Sequence, residues 1–508
     1  MSGLNSRVVS GMAWVSLERV FSHAMHFVVS LVLARLLTPN DYGTVALLSI
    51  FFAIAGSIAT CGFGNALVQK KQVTELDYNT VFYISLVASL VVYCMLYLLA
   101  PYIAAFYNIP VLAPITRVSA LSIIFNAINS VQIAELSRKM MFDRRFKITC
   151  LVGVVSAAVG ISLAYLGFGV WALVASSLLG GFVGVIAYWR IIAWRPMLMF
   201  DLEAAKSLFS YGWKMSFAGL IHTFYTNMYG FLVGRYYSPN DLAFVNRGNA
   251  VPNLFLSAID GTISNVSFPA LSKMQDSKKR IVDAMRKMIQ CSTFLVFFCM
   301  GLVAVCAEPL VVLMYGEQWK PAAVYIPICC FAVAMTPLCT INCNAIAAIG
   351  KSGVYLWMEI IKKTSGLILM CVSIHYGVII FVLTISCVQV PIAVLVNTFS
   401  SGRFLGYTFK KQLQDVMSSF LICAAMIIAI RGFQLLIRSF VLFDGHNICL
   451  RAIILLATFM VGSVVYFGLA CIFRTRPFVE CIMSALPFVG RRLSPLAVVL
   501  RKLSGSAK

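Results

Sequence analysis

Long apolar stretches alternate with short polar connections along the whole of this 508-residue chain. Each stretch has 20 or more residues, enough for a helix to cross a hydrocarbon core of about 30 Å. Cutting the chain at its charge clusters and its proline and glycine turns gives about fourteen spans. These begin near residues 10, 41, 78, 110, 147, 170, 207, 241, 282, 321, 354, 378, 413 and 449. The pattern predicts an all-α polytopic membrane protein.

A short polar phrase occurs twice along the chain, with an offset of 200 residues. The first copy reads "LLTPNDYG" and follows the first apolar stretch, whereas the second reads "YYSPNDLA" and follows the seventh. The flanking segments keep the offset, so that Arg35 aligns with Arg235. Since both copies follow a span that runs in the same direction, the halves are predicted to be parallel repeats. The predicted organisation is two six-helix lobes, two extra transmembrane helices and a basic cytoplasmic tail, over residues 1–206, 207–403, 404–476 and 477–508.

The repeated phrase has the signature of a helix start. A Ser or Thr at the N-cap, a proline at the first helical position and a carboxylate at the third together satisfy the free N–H groups there. These positions hold Thr38, Pro39 and Asp41 in the first copy and Ser238, Pro239 and Asp241 in the second. We therefore expect each phrase to form a tight, structural hairpin between two spans.

Composition supports a membrane protein, and the placement of charge predicts its orientation. The chain is 61% apolar and 11% charged, with a net charge of +22 and a mean hydropathy of +0.91. Lysine and arginine collect in alternate connections, such as "SRKMMFDRRFK" and "SKKRIVDAMRK". The positive-inside rule then places both termini and every basic connection in the cytoplasm, with the repeated phrase outside. Basic loops of this kind meet anionic lipid head groups, so nucleic acid is not expected as a partner.

The sequence offers no sign of catalytic or metal chemistry. Its sixteen cysteines are scattered singly through apolar stretches, apart from Cys329 and Cys330, and lack the partners of a metal site. They are interpreted as small buried hydrophobic residues. No paired carboxylates, nucleophile–base pair or histidine cluster with metal spacing is present. We therefore expect no cofactor, no metal and no enzymatic activity.

Polar residues inside the apolar spans are the best site candidates, because a central Arg, Lys or Asp costs about 2.5–3.5 kcal/mol on insertion scales. Helical spacing places several of them on shared faces, of which the clearest is a stripe along the eighth span. The candidates are Arg19, His23 and His26 on the first span, Arg117 on the fourth, Lys214, Tyr225 and Tyr229 on the seventh, and Arg247, Asn249, Asn253 and Asp260 on the eighth.

These residues have two interpretations. In the first, they line a cleft that is mostly positive and suits an anionic substrate, with Tyr and Asn side chains for sugar hydroxyls. In the second, Ser, Asn and His form hydrogen bonds between helices and the tyrosines fill the core. The arginines favour the cleft, since a permanent guanidinium charge needs water, a carboxylate or an anion. His23 and His26 suit either proton coupling or neutral hydrogen bonding.

Several phrases resemble the polysaccharide-transporter, Wzx-like branch of the multidrug/oligosaccharidyl-lipid/polysaccharide flippases. They are "LLTPNDYGTVALL", "GFGNALVQKK", "SFPALSKMQD" and "LMYGEQWKP". The resemblance extends from about residue 10 to residue 403. It implies two six-helix lobes with further C-terminal helices, and a flippase in the bacterial cytoplasmic (inner) membrane that alternates between inward-open and outward-open states.

The resemblance also implies a substrate and partners. The substrate would be an undecaprenyl-diphosphate-linked oligosaccharide, moved to the outer leaflet for O-antigen, capsule or exopolysaccharide synthesis. The implied partners are the lipid bilayer, a coupling cation (H⁺ or Na⁺), and glycan polymerase and chain-length machinery. Related flippases use cavity arginines for the lipid diphosphate, which suggests Arg19 and Arg247. The alternatives are a multidrug or lipid II exporter of the same superfamily and, from another class, a membrane glycan polymerase or ligase.

Overall fold

The chain was analysed as a computed structural model that describes residues 2–60, 63, 67, 70, 73–440 and 448–485. Inside these ranges, the side chains of residues 2–13, 15–16, 19–20, 204, 207–215, 218, 258–266, 438–440, 448–450 and 483–485 lie outside the description. Every regular element in the described ranges is a helix. The all-α prediction is therefore confirmed.

The helices follow one another with short connections. In the first half of the chain they are α1 Ser2–Leu36, α2 Pro39–Leu47, α3 Ser49–Thr60, α4 Glu75–Tyr107, α5 Leu112–Ser119, α6 Leu121–Arg138, α7 Phe142–Tyr165, α8 Val170–Ile191 and α9 Leu202–Tyr236.

The second half continues with α10 Pro239–Ser272, α11 Lys278–Val305, α12 Ala307–Tyr315, a 3₁₀ helix Glu317–Val324, α13 Tyr325–Ala334, α14 Thr336–Ala348 and α15 Ser352–Ser373. After a 3₁₀ turn, Ile374–Tyr376, come α16 Val378–Leu383, a π-helix Thr384–Gln389, α17 Val390–Leu405, α18 Phe409–Phe440, α19 Ile448–Ile472 and α20 Arg476–Ala485.

The described helices make this a multi-pass membrane protein. Ten helical segments in the described ranges are long and apolar enough to cross a membrane. Each begins within a few residues of a predicted span, although the predicted number of fourteen is not confirmed by this criterion. The tail predicted from residue 477 begins inside α20, and its residues 486–508 lie outside the described part of the chain.

Internal contacts divide the chain into two units, Met1–Ala243 and Phe244–Lys508. The helix of the seventh predicted span, α9, therefore belongs to the first unit by its contacts, although the sequence repeat assigns it to the second lobe. Contacts group residues that pack together, whereas the repeat groups segments of similar sequence. The predicted lobe boundaries therefore stay a prediction.

Closely packed helix pairs build the first unit. In it α1 packs on α7, α7 on α8, α4 on α6, and α9 on α3. One buried cluster joins aromatic residues of α4 to the segment after α8, including Tyr78, Phe82 and Trp194. The same segment is tied to α4 by hydrogen bonds, since Met197 N donates to Asn79 Oδ1 at 2.6 Å. The connection into α9 is thus held against the bundle.

Both copies of the repeated phrase form the predicted cap. Thr38 caps α2, where its backbone N–H donates to Asp41 Oδ2 at 3.0 Å and Asp41 N donates back to Thr38 Oγ1 at 3.3 Å. In the second copy Ser238 N donates to Asp241 Oδ2 at 3.1 Å, and Asp241 N donates to Ser238 Oγ at 3.1 Å. The capping bonds predicted for both aspartates are confirmed.

The two hairpins also contact each other, which the sequence did not indicate. A Cβ atom at Gly43 would lie 1.9 Å from the backbone oxygen of Pro239. One turn further along α2, Leu47 packs on α9, where a Cβ atom at Gly234 would lie 2.1 Å from Leu47 Cδ2. Gly43 is therefore needed for a close approach of two backbones, whereas Gly234 leaves room for a side chain.

The second unit is built around α11. This helix packs against α13, α18 and α20, and α18 packs against α19. Large aromatic side chains fill the contacts: Tyr466 on α19 is fully buried and donates its hydroxyl to Phe294 O at 2.7 Å. Elsewhere in the unit α14 and α15 pack on α17.

Candidate functional site

An exposed polar face runs along the first half of α10. Asn246, Asn249, Asn253 and Ser257 are all exposed, whereas Val245 and other apolar residues of the opposite face are buried. Asn253 Nδ2 donates to both the backbone oxygen and Oδ1 of Asn249 at 2.9 Å. The structure therefore places Asn249 and Asn253 together as predicted, with their amides directed away from the core of the second unit.

Arg247 flanks this face but rests on aromatic rings. Its guanidinium carbon lies 5.2 Å from the ring centroid of Tyr315 and 5.3 Å from that of Trp319. Both rings are almost fully buried, and Trp319 also packs edge-on against Phe244. Cation–π stacking of this kind is attractive and orients the guanidinium. The predicted anion-binding residue thus has a structural partner that its sequence context did not reveal.

On α1 the two candidate histidines are exposed while a neighbouring carboxylate is not. His23 and His26 both face outward. Glu18 is only 8% exposed and accepts hydrogen bonds from Arg145 Nε at 3.0 Å and Thr149 Oγ1 at 3.2 Å, both on α7. Glu18 therefore ties α1 to α7.

The candidates on the other two helices are more enclosed. Tyr225 and Tyr229 on α9 are half-buried. Arg117, in the last turn of α5, lies 4.5 Å from the ring centroid of Tyr97 on α4. Asn129, further along the same predicted span on α6, is buried. The structure therefore does not bring Arg117 and Asn129 into one polar surface.

Three candidates cannot be placed. The side chains of Arg19, Lys214 and Asp260 lie outside the described residues, although their backbones belong to α1, α9 and α10. Their assignment to a cleft stays a prediction.

An ion pair inside the second unit was missed by the sequence analysis. Lys362 donates to Glu359 one turn earlier on α15, and its side chain is 14% exposed. Lys362 is ten residues from the start of α15, about 15 Å along the axis. Its backbone oxygen accepts a hydrogen bond from Gln389 Nε2 at 2.7 Å, at the end of the π-helix. The ion pair could have been predicted from the charged residues in the middle of an apolar segment, the "EIIKK" of α15.

A second missed cluster surrounds Asp415 on α18. Its carboxylate accepts two hydrogen bonds from Arg286 at 2.8 Å each, one from Gln290 at 2.7 Å and one from the Tyr407 hydroxyl at 2.8 Å. Burial raises the pKa of Tyr407, which keeps its hydroxyl a donor. Arg286 and Gln290 lie 129 and 125 positions before Asp415 in the sequence. No short sequence pattern predicts such a pairing, so only the fold reveals this cluster.

No group of three or more metal-binding side chains occurs among the described residues. What the described geometry offers is an exposed amide face on α10, a stacked guanidinium beside it and exposed imidazoles on α1. Such groups bind ligands through hydrogen bonds and charge. They are suited to recognising a substrate rather than to transforming it.

Comparisons with known proteins agree with this interpretation. Residues 32–324 match the model of a family described as polysaccharide biosynthesis protein. The teichuronic acid biosynthesis protein TuaB of Bacillus subtilis (strain 168) is 24% identical over 455 residues, 87% of this chain and 92% of that protein. The succinoglycan biosynthesis transport protein ExoT of Rhizobium meliloti (strain 1021) is 24% identical over 472 residues, 91% of this chain and 92% of that protein.

A solved structure shares the fold. The lipid II flippase MurJ in an inward closed conformation aligns with a TM-score of 0.67 at 13% identity, over 89% of this chain and 98% of that one. At that identity the likeness concerns the fold alone. Because the family model spans more than half of the sequence, the chain belongs to the polysaccharide biosynthesis protein family. It resembles the Wzx-like branch of the multidrug/oligosaccharidyl-lipid/polysaccharide flippases.

Proposed function

We propose that this protein is a flippase that translocates an undecaprenyl-diphosphate-linked oligosaccharide across the bacterial cytoplasmic membrane for surface polysaccharide synthesis. The observation that carries the proposal is the exposed amide face of α10, made by Asn246, Asn249 and Asn253, in a membrane protein of a polysaccharide biosynthesis family. Exposed amides donate and accept hydrogen bonds, as sugar hydroxyls require. A relative whose name describes succinoglycan transport supports the same class of substrate.

The proposed mechanism is alternating access of a cationic cleft between two parallel repeats. Asn249 and Asn253 bind the sugars, and Arg19 and Arg247 bind the diphosphate, for which a guanidinium fork is better suited than an ammonium. Stacking of Arg247 on Tyr315 and Trp319 would reduce the entropy lost when it binds the anion. Outward movement of each negative charge through 100 mV releases about 2.3 kcal/mol, so the membrane potential assists transport.

The exposed imidazoles of His23 and His26 are proposed as proton-coupling groups, since an imidazole ring can accept and release a proton. The test is to replace both with Gln and to measure transport between pH 5 and 8. A pH dependence equal to that of the native protein would exclude them and leave Na⁺ as the remaining proposed coupling ion.

Transport itself is tested with the full-length protein in vesicles. A polyprenyl-diphosphate oligosaccharide that carries a fluorophore on its sugar is added to both leaflets, and a membrane-impermeant reductant bleaches the outer pool. We expect the inner pool to become accessible only in vesicles that contain the protein. Substitution of lipid II or a cationic drug for the labelled lipid distinguishes the alternative exporters. Equal bleaching with and without protein would contradict the proposal.

The role of Arg247 needs two measurements, because it also packs on buried rings. Arg247→Ala should abolish transport per molecule, whereas Arg247→Lys should restore it only in part. Thermal unfolding of each variant in detergent reports the structural contribution separately. Arg247→Ala with native transport and a lowered melting temperature would assign the residue to structure alone.

The proposed orientation puts both termini in the cytoplasm. A reporter that is active only in the cytoplasm should work after Lys147, between predicted spans four and five. It should fail after Asn40 or Asn240, in the two hairpins. Activity at either hairpin would contradict the parallel repeat.

A further inference from the structure

A groove lies between α15 and α17 in the second unit, with a volume of about 910 Å³. Its walls are apolar and include Trp357 and Ile361 on α15 and Leu395 and Phe399 on α17. All four side chains are exposed, with Trp357 at 65% and Phe399 at 70%. Because the groove lies on an apolar surface of a membrane protein, it faces the lipid of the bilayer.

The dimensions of the groove match one lipid leaflet. Along α17 it extends from Leu395 to Phe404, nine residues or about 14 Å at the helical rise. Half of a hydrocarbon core of about 30 Å is about 15 Å. A groove of this length can hold one acyl chain.

Positive charge marks one end of the groove. Arg403, in the last turn of α17, lines it, and the exposed residues Lys410 and Lys411 follow on α18. Among the described residues no carboxylate lies within 4.0 Å of the Arg403 guanidinium. The carboxylate of Glu359, on α15, is already bound to Lys362 and Lys363. An uncompensated guanidinium at the end of an apolar channel is complementary to an anionic head group on an acyl chain.

We propose that this groove binds an anionic phospholipid, with one acyl chain between α15 and α17 and the phosphate at Arg403. The basic end lies at the connection between α17 and α18, which the positive-inside rule places in the cytoplasm. The lipid therefore belongs to the cytoplasmic leaflet. A polyprenyl chain is much longer than one leaflet and fits the 14 Å channel less well. The site is separate from the exposed amide face of α10.

The experiment uses Trp357 as a reporter inside the groove. The full-length protein is reconstituted in vesicles of phosphatidylglycerol and phosphatidylcholine in equal amounts, with bromine on the chains of one lipid at a time. Subtraction of the emission of a Trp357→Phe variant isolates the signal of this residue. Bromine quenches on contact, so the difference between the two vesicle types reports which lipid occupies the groove.

Brominated phosphatidylglycerol should quench Trp357 more strongly than brominated phosphatidylcholine does. We expect the anionic lipid to bind about fivefold more tightly, because one arginine near an anionic surface contributes about 1 kcal/mol. The preference should disappear in Arg403→Gln and largely persist in Arg403→Lys. Arg190→Gln is the matched control, because Arg190 also lies in the last turn of a helix, α8, without lining the groove.

Three results would overturn the proposal. They are equal quenching by both lipids, a preference that survives Arg403→Gln, and loss of quenching when polyprenyl diphosphate is added in an amount equal to the protein. The last result would assign the groove to the transported lipid. None of these outcomes depends on transport activity, so the flippase proposal is tested independently.

Discussion

The second unit contains two polar surfaces that differ in how their hydrogen bonds are satisfied. Around Asp415 every oxygen of the carboxylate is bonded, and Asp415, Gln290 and Tyr407 are buried. Along α10 the amides of Asn249 and Asn253 bond to each other and to their own helix, and their side chains are exposed. The first surface joins α11 to α18, whereas the second is presented outward.

This difference separates structure from recognition in an apolar chain. A buried polar group is costly unless it is hydrogen-bonded, so a fully bonded cluster indicates a structural junction. An exposed polar face on a helix of a membrane protein is also costly unless water or a ligand covers it. Bonding partners, rather than polarity itself, therefore indicate which residues are available to a substrate.

The largest predicted effect is at the buried cluster. Asp415→Ala leaves the Arg286 charge without a partner and should lower the free energy of unfolding by about 3 kcal/mol. This is the lower end of the usual range, because the Arg286 side chain is 37% exposed. Unfolding in mixed detergent micelles measures the change. Asp283→Ala is the control, since this exposed carboxylate on α11 should change stability by less than about 0.5 kcal/mol. Equal effects would invalidate the comparison.

The contact between the hairpins comes next. Gly43→Val would place a side chain against the Pro239 backbone, where a Cβ atom alone lies at 1.9 Å, and should cost about 1–3 kcal/mol. Gly56→Val in α3 is the matched control, because a Cβ atom there meets no heavy atom within 4 Å. The two variants share the same change in helix propensity. Similar unfolding midpoints would show that the hairpins do not need this close approach.

The capping residues should have a smaller effect. Asp41→Ala and Asp241→Ala each remove one reciprocal cap and should destabilise by about 0.5–2 kcal/mol. Protein level should fall while transport per molecule stays near normal. Asn40→Ala tests specificity, since Asn40 is an exposed neighbour in the same phrase. Abolished transport at normal abundance would mean that the aspartates act on the substrate.

The smallest change in stability should be on the exposed face. Asn249→Ala combined with Asn253→Ala removes amides that bond only to each other and to α10, so the free energy of unfolding should change by less than about 0.5 kcal/mol. Transport per molecule should fall about tenfold, as expected for two lost hydrogen bonds to a substrate. If stability falls as far as in Asp415→Ala, the two surfaces do not differ in the way proposed.

Much of the fold followed from local sequence. The all-helical membrane class, the helix starts at Thr38 and Ser238 and the shared face of Asn249 and Asn253 were all predicted. Each depends on neighbours within a few turns, where helical periodicity and capping chemistry act. The ion pair of Lys362 and Glu359 is equally local and could have been predicted from its spacing of three residues.

The remaining features depend on which helices meet. The sequence by itself determined the helices, their caps and the repeat, because these follow from hydrogen bonds and side-chain spacing along one segment. Only the tertiary structure decided that Asp415 meets Arg286, that Arg247 rests on Tyr315 and Trp319, and that Gly43 touches Pro239. Pairings between distant segments depend on the packing of whole helix faces, and no single segment encodes that packing.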